Sequence, residues 1–311
     1  MVVNIAYDII LLGDNMKLSI IIPCKNEEKN IKELNDKIKE ELKDIKYEVI
    51  YVDDGSSDDS LNILKSLYEE DITHVKIISF SKNFKKDAAL LAGLRSSCGE
   101  YTCIMDSNLK HDPSYIRKMF DILEEDRNCD IVAVKRQIHN NFIVSIINTI
   151  VNKSAHINMN KIWSSYRMFR KNVKDTLLNL SNTDRFTNTM FSWIGYNYRS
   201  INDEVDNFNI SEYLKCAIDA IKSYGNKPFS IVIHLGNICM LISIAYLIYL
   251  LINNSFNKIN FIISLLFLLF SILFIVLGVI GNYLSHLKIN IVSRPCYIVR
   301  EKIGFSKETI L

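Results

Sequence analysis

The chain has 311 residues, which gives room for one large or two modest domains and for a sizeable core. Its formal charge of +2 offers no broad basic surface, so no nucleic-acid partner is expected. Seven cysteines, at 24, 98, 103, 129, 216, 239 and 296, are odd in number and lack a CxxC pair, which argues for reduced thiols rather than a disulfide framework or a zinc site.

Residues 1–16 form an N-terminal extension whose apolar run beside Asp8 is too short and too acidic for a secretory signal. From Lys17 strands and helices alternate. Apolar β-branched runs at 18–23, 47–52, 75–80 and 101–105 predict strands. Between them lie helical patterns: one with Ile31, Leu34, Ile38 and Leu42 on a single face, then 60–69 and 87–96. Another starts at Pro113, with Ile116, Met119, Phe120 and Leu123 on its core side. Strands separated by helices of this length imply βαβ crossovers and a doubly wound α/β domain over 17–210.

Two strand ends carry chemistry. The second strand stops at Val52-Asp-Asp-Gly-Ser56, and ligands of open α/β sheets bind outside the carboxyl ends of strands, where Asp53 and Asp54 stand. The plainer alternative is a solvated turn with Ser57 or Asp58 as helix N-cap. The fourth strand runs into Asp106-Ser-Asn-Leu-Lys-His-Asp-Pro113. Carboxylates one residue apart can share a divalent cation with a diphosphate, but here Asp106 is paired with the neutral amide Asn108. A turn capped by Asp112 is the structural alternative.

Beyond the domain, residues 230–252 and 259–284 are apolar runs, each longer than the roughly 20 residues that cross a bilayer. The connection 253–258 is short, so they form a helical hairpin. Lys222, Lys227, Lys288, Arg294, Arg300 and Lys302 flank its open end, against Lys258 alone at the connection. The positive-inside bias then makes this a multi-pass protein of the cytoplasmic membrane, with the α/β domain and both termini cytoplasmic. Residues 211–229 carry Leu214, Ala217, Ile218 and Ile221 at helical spacing, as an interfacial juxtamembrane helix or one packed on the domain would. Residues 285–311 are a C-terminal tail.

Several stretches together carry a family resemblance. Ile21-Ile-Pro-Cys-Lys-Asn-Glu-Glu28, Val52-Asp-Asp-Gly-Ser56, Phe80-Ser-Lys-Asn-Phe84, Asp87-Ala-Ala-Leu-Leu-Ala-Gly-Leu94, Gly278-Val-Ile-Gly-Asn-Tyr-Leu284 and Arg294-Pro-Cys-Tyr-Ile-Val-Arg-Glu301 resemble family 2 glycosyltransferases. More narrowly, they resemble bacterial polyprenyl-phosphate glycosyltransferases with a C-terminal membrane hairpin. The resemblance implies a GT-A (Rossmann-like) doubly wound mixed sheet followed by an all-α transmembrane hairpin. It also implies a UDP- or GDP-linked sugar donor, a polyprenyl phosphate acceptor in the lipid bilayer, inversion at the transferred sugar, and a homo-oligomer.

Carried over residue by residue, the resemblance assigns nucleotide binding to Pro23, Glu27, Asp53, Asp54, Lys82 and Lys86. It assigns Mg2+ or Mn2+ to Asp106 and Asn108, and catalysis to Asp106, Ser165 and Arg167. Arg167 keeps the family's arginine in Ser164-Ser-Tyr-Arg-Met-Phe169. Three positions depart from the pattern: Asn108 stands for the second metal acid, Lys110 for a glutamine, and Ser165 for the aspartate usually assigned as base. The stretch 205–213 also lacks the family's basic residues. These departures weaken the metal site and leave a second reading open, an impaired paralogue that binds nucleotide-sugar or lipid or partners an active homologue. Lys110 is a candidate phosphate contact that would supply charge beside the weakened site.

Overall fold

The computed structural model describes residues 16–109, 112–135, 166–180, 190–202, 227–252, 258–291 and 295–305, together with 145, 149 and 214. The chain divides into two units. The first holds residues 1–148, 157–213 and 294–311; the second holds 149–156 and 214–293.

The first unit is built on one eight-stranded sheet. Its centre is parallel: β1 (Leu18–Cys24), β2 (Tyr47–Asp53), β3 (Val75–Phe80) and β4 (Tyr101–Ile104) lie in the order β4-β1-β2-β3. The crossovers are α1 (Ile31–Glu41), α2 (Ser60–Glu70) and α3 (Lys86–Ser96), and α4 (Ser114–Glu125) follows β4. These are the strands and helices that the apolar patterns predict.

Alternation along the central strands sends side chains to both faces, and each face has its own cover. Ile20 and Ile22 of β1 pack with Ile31, Leu34 and Ile38 of α1, Leu64 of α2 and Ile116 of α4. Ile21, on the opposite face, packs with Leu90, Leu91 and Leu94 of α3. Helices on both faces explain why these strands read as continuous apolar runs. Burial of each such side chain contributes about 1.5–3 kcal/mol.

The flanks make the sheet mixed. β6 (Arg167–Arg170) runs antiparallel to β4, β5 (Ile131–Lys135) antiparallel to β6, and β7 (Tyr198–Asn202) parallel to β5 at one edge. β6 is followed by α5 (Lys171–Leu180), and the short α6 (Met190–Trp193) precedes β7. At the other edge β8 (Val299–Ile303) runs antiparallel to β3. The sequence reading leaves β8 within the 285–311 tail. Tyr297, just before it, stacks on Phe80 with ring centroids 5.0 Å apart, which seats the segment on the sheet. This doubly wound mixed sheet is the GT-A architecture.

The second unit contains α7 (Lys227–Ile252) and α8 (Lys258–Ile291), packed along one another. Their seam is small: Gly236 and Ser243 on α7, and Ser264, Ser271 and Gly278 on α8, are buried at heptad spacing. A Cβ on Gly236 would stand 2.8 Å from Ile275 Cγ1 and 3.0 Å from the Ser271 carbonyl oxygen, so only glycine permits this approach. The Ser243 hydroxyl donates to the Ser264 carbonyl at 2.8 Å. Large apolar side chains point outward instead, Leu241 at 69% exposure and Phe267 at 60%. Small residues within and large apolar residues without is the arrangement of helices packed in lipid. Residues Lys258–Gly281 are long and apolar enough to cross a membrane; in α7 the apolar stretch is the shorter His234–Leu250. Residues 215–226 and 203–213, with the proposed juxtamembrane helix, lie outside the described residues apart from Leu214.

Candidate active site

A cleft of about 360 Å³ opens at the carboxyl ends of β1, β2 and β4. Pro23, Cys24, Lys25 and Glu27 line it after β1, Asp54 after β2, Asn83, Lys85 and Lys86 at the start of α3, and Asp106, Ser107 and Asn108 after β4.

One wall is made by stitching the β1 and β2 loops together. Asn26, in the left-handed region at φ 55°, accepts from the Ser57 N–H at 2.9 Å while its own N–H donates to Ser56 Oγ at 3.0 Å. The Glu27 N–H donates to Ser60 Oγ at 2.9 Å, and the Glu27 carboxylate accepts from Asn30 Nδ2 at 2.6 Å. Loops that would otherwise be mobile are thereby given fixed backbone partners.

Asp53 and Asp54 do different work although they are adjacent. Asp53 is the last residue of β2 and is buried, accepting from the Ser56 N–H at 3.0 Å and Ser79 Oγ at 2.9 Å. It therefore ties β2 to its own turn and to β3, and it is not among the cleft-lining residues. Asp54 lines the cleft and accepts from the N–H groups of Phe84 at 2.6 Å and Lys85 at 2.9 Å. Burial pushes its carboxyl up, opposed by those two donors and by the charge of Lys25. Gly55, at φ 64°, lets the β2 turn reach the next loop: a Cβ there would lie 2.6 Å from the Lys82 carbonyl carbon.

The latch by Asp54 sets up α3. Lys85 sits at φ 78°, ψ 161°, a conformation that is essentially glycine's, and its N–H is held by both Asp54 and Asn83 Oδ1. Lys86 follows as the first residue of α3, and its ammonium is ion-paired with Asp106 Oδ1. Lys82 points elsewhere, over the Phe84 ring at 5.2 Å. Of Lys82 and Lys86, the two lysines that the resemblance assigns to the nucleotide, Lys86 lines the cleft and Lys82 does not.

The opposite wall follows β4. Met105 N–H donates to the Ile21 carbonyl at 3.2 Å and Ser107 Oγ to the Pro23 carbonyl at 3.1 Å, so Asp106 is held across from the β1 end. Arg167 opens β6 opposite Ile104 and is fully buried, its guanidinium 4.2 Å from the Phe191 ring centroid. It is not among the cleft-lining residues. Lys110 and Ser165 lie outside the described residues.

Lys25, Asn83 and Lys85 are cleft residues that the sequence reading passed over. For Asn83 and Lys85 the signal was the density of lysine and asparagine in 80–86, between the strand at 75–80 and the helix at 87–96. Together with Lys86 these three residues line the cleft with basic and hydrogen-bond-donating groups, interleaved with the acids Glu27, Asp54 and Asp106.

Hard divalent cations that bridge to a diphosphate need only one or two protein oxygens. Asp106 and the Asn108 side chain supply one carboxylate and one amide carbonyl at the cleft, which fits Mg2+ or Mn2+ shared with phosphate oxygens rather than a self-sufficient protein cage. Among the described residues no three His, Cys, Asp or Glu side chains cluster as a metal site.

The family model for glycosyl transferase family 2 matches residues 19–192, more than half of the chain and including every cleft residue. The chain belongs to glycosyl transferase family 2. It is 31% identical over 302 residues to a putative glycosyltransferase, CsbB, of Bacillus subtilis, covering 91% of each chain. It is 22% identical to the undecaprenyl-phosphate 4-deoxy-4-formamido-L-arabinose transferase of Proteus mirabilis, covering 94% of this chain and 95% of that one. Among solved structures it is similar to glucosyl-3-phosphoglycerate synthase of Mycobacterium tuberculosis in complex with UDP, at 16% identity and TM-score 0.49, over 70% of this chain and 82% of that one. A mannosyltransferase from Pyrobaculum calidifontis in complex with GDP-Man and Mn2+ matches at 16% identity and TM-score 0.47, over 75% of this chain and 71% of that one. As a member of the family, the protein is a glycosyltransferase.

Proposed function

We propose that this glycosyltransferase moves a sugar from a UDP- or GDP-linked donor to polyprenyl phosphate, with inversion, at the cytoplasmic face of the cytoplasmic membrane. The product is a lipid-linked sugar for cell-envelope glycan synthesis or modification. The observation that carries the reading is the pairing of the Lys86–Asp106 cleft with helices whose outward faces are apolar, in a chain that matches an undecaprenyl-phosphate transferase along nearly its whole length.

In this reading Pro23, Glu27 and Asp54 hold the nucleoside side of the donor, and Lys25, Lys85 and Lys86 face its diphosphate. A bound Mg2+ or Mn2+, held by Asp106 and Asn108, supplies further charge neutralisation for the leaving group. The acceptor phosphate is largely ionised near pH 7, its second pKa being about 6, so it attacks the anomeric carbon without help from a strong base. Ser165 in place of an acid costs less here than the factor of about 10² to 10⁴ that a general base commonly contributes. The departing nucleoside diphosphate gains negative charge, and the lysines of the α3 start stabilise it. Both α7 and α8 cross the membrane as a hairpin, and the protein works as a homo-oligomer.

The test is incubation of the purified chain in detergent with labelled UDP- and GDP-sugars and undecaprenyl phosphate, with Asp106→Ala as control. Lipid-extractable label that disappears in the control is the expected result. Nucleotide binding without any label transfer would instead favour an impaired paralogue, the reading that Asn108 and Ser165 support.

A further inference from the structure

Lys86 and a divalent cation ask for the same carboxylate. The ammonium is paired with Asp106 Oδ1, and Asp106 is the acid that the 106–108 segment offers a metal, since its neighbour two residues on is the neutral Asn108. Two cations on one carboxylate repel each other, so each lowers the other's affinity.

Helix stability does not account for this lysine. A cation in the first turn stands at the positive end of the helix dipole, where an anion would be favoured. Its aim is nonetheless fixed, because Asp54 and Asn83 hold the Lys85 backbone in its left-handed conformation immediately before the helix. The contact is also weak enough to exchange, since the Lys86 side chain is 42% exposed and ion pairs in such settings contribute little. An ammonium on a flexible four-carbon stem can turn to another anion without moving the backbone.

We propose that Lys86 is an exchangeable placeholder cation. It holds Asp106 in the absence of donor and turns its ammonium to the donor diphosphate when Mg2+ or Mn2+ takes Asp106. The inference rests on the reading of the cleft as a nucleotide-sugar site and names how that site is loaded. Lys86 thereby keeps a one-carboxylate site closed to metal until a diphosphate arrives to share it.

The test separates placeholder from scaffold by the sign of two effects on the full chain in detergent. Mn2+ binding without nucleotide, read by electron paramagnetic resonance of the free ion, should tighten on the order of tenfold in Lys86→Met, because the competing charge is gone. With saturating Mn2+ the same variant should bind UDP and GDP on the order of tenfold more weakly, having lost the phosphate contact that Lys86 makes once the metal holds Asp106. Lys86→Arg keeps the charge and should hold Mn2+ affinity near that of the natural chain. Unchanged or weakened Mn2+ binding in Lys86→Met overturns the proposal, as does absence of Mn2+ binding in both proteins. Undiminished nucleotide affinity at saturating Mn2+ overturns the transfer of Lys86 to the diphosphate. Neither readout needs turnover, so failure of sugar transfer and failure of the placeholder are distinguishable.

Discussion

Adjacent acids in this protein show how burial and partners assign roles that residue type leaves open. Asp53 and Asp54 share a turn, yet one ties strands together and the other latches the loop that aims Lys86. A third acid, Glu48, lies at the opposite end of β2 and is fully buried. It accepts from Ser19 Oγ at 2.5 Å, Lys76 Nζ at 2.6 Å and the Cys98 N–H at 2.9 Å. Burial pushes its carboxyl up, but the Lys76 charge and these donors outweigh it and hold Glu48 below the usual carboxylate range. A depressed folded pKa means that the stabilisation is present above the ordinary value of about 4.3 and is lost as pH falls through the folded value. Glu48→Gln should therefore lower stability at pH 7 by about 3 kcal/mol and flatten the acid limb, which urea denaturation between pH 3 and 7 would measure. An acid limb as steep in the variant as in the natural chain would show that Glu48 is not its source.

At the scale of elements, α3 is the piece on which the site depends. Its buried side combines Leu90, Leu91 and Leu94 with the small Ala88, Ala89, Ala92 and Gly93, and the small residues let its axis lie close to β1 and β2. A Cβ at Gly93 would fall 2.3 Å from Ile21 Cγ2 in the middle of the core. Gly93→Ala gains up to about 1 kcal/mol in helix propensity but costs about 1–3 kcal/mol in overpacking. The expected net effect is a loss of stability of about 1 kcal/mol together with weaker nucleotide binding, because α3 carries Lys86 at its start. Ile21→Ala removes the Cγ2 that the added Cβ would meet and should therefore cost less stability in the Gly93→Ala chain than in the natural one, as calorimetry of the single and double variants would show. A stabilised Gly93→Ala would mean that the helix can shift without cost.

For the whole molecule the order of the chain matters. Between β7 and β8 it passes through both long helices and then rejoins the first unit to cover the edge of β3. Without β8, β3 would present an open row of backbone donors and acceptors, which is an aggregation hazard. It would also lose the Tyr297 stack on Phe80, and such aromatic pairs contribute about 1 kcal/mol beyond their buried area. A chain ended at residue 293 should unfold at least about 5 °C lower than the full chain in the same detergent and aggregate on detergent removal. Equal thermal midpoints would show that the edge strand is dispensable.

By itself the sequence determined the parallel centre of the sheet and its helical cover. Runs such as Leu18–Cys24 and Tyr47–Asp53 are long, apolar and regularly interrupted, and burial on both faces leaves no other solution. The family resemblance, carried on motifs at strand ends, named Pro23, Glu27, Asp54, Lys86, Asp106 and Asn108, and the structure brings these six to one cleft. Two of the flanking strands were not legible: β6, Arg167-Met-Phe-Arg170, is four residues with an arginine at each end, and β7 is a polar edge, so neither has a periodicity to read. Only the tertiary structure decided that Asp53 faces inward, that Lys82 rests on Phe84, and that Lys86 reaches Asp106 from twenty residues away. Those outcomes depend on which backbone donors and which cation the folded chain brings to each carboxylate, a choice made by long-range contacts rather than by neighbours in sequence.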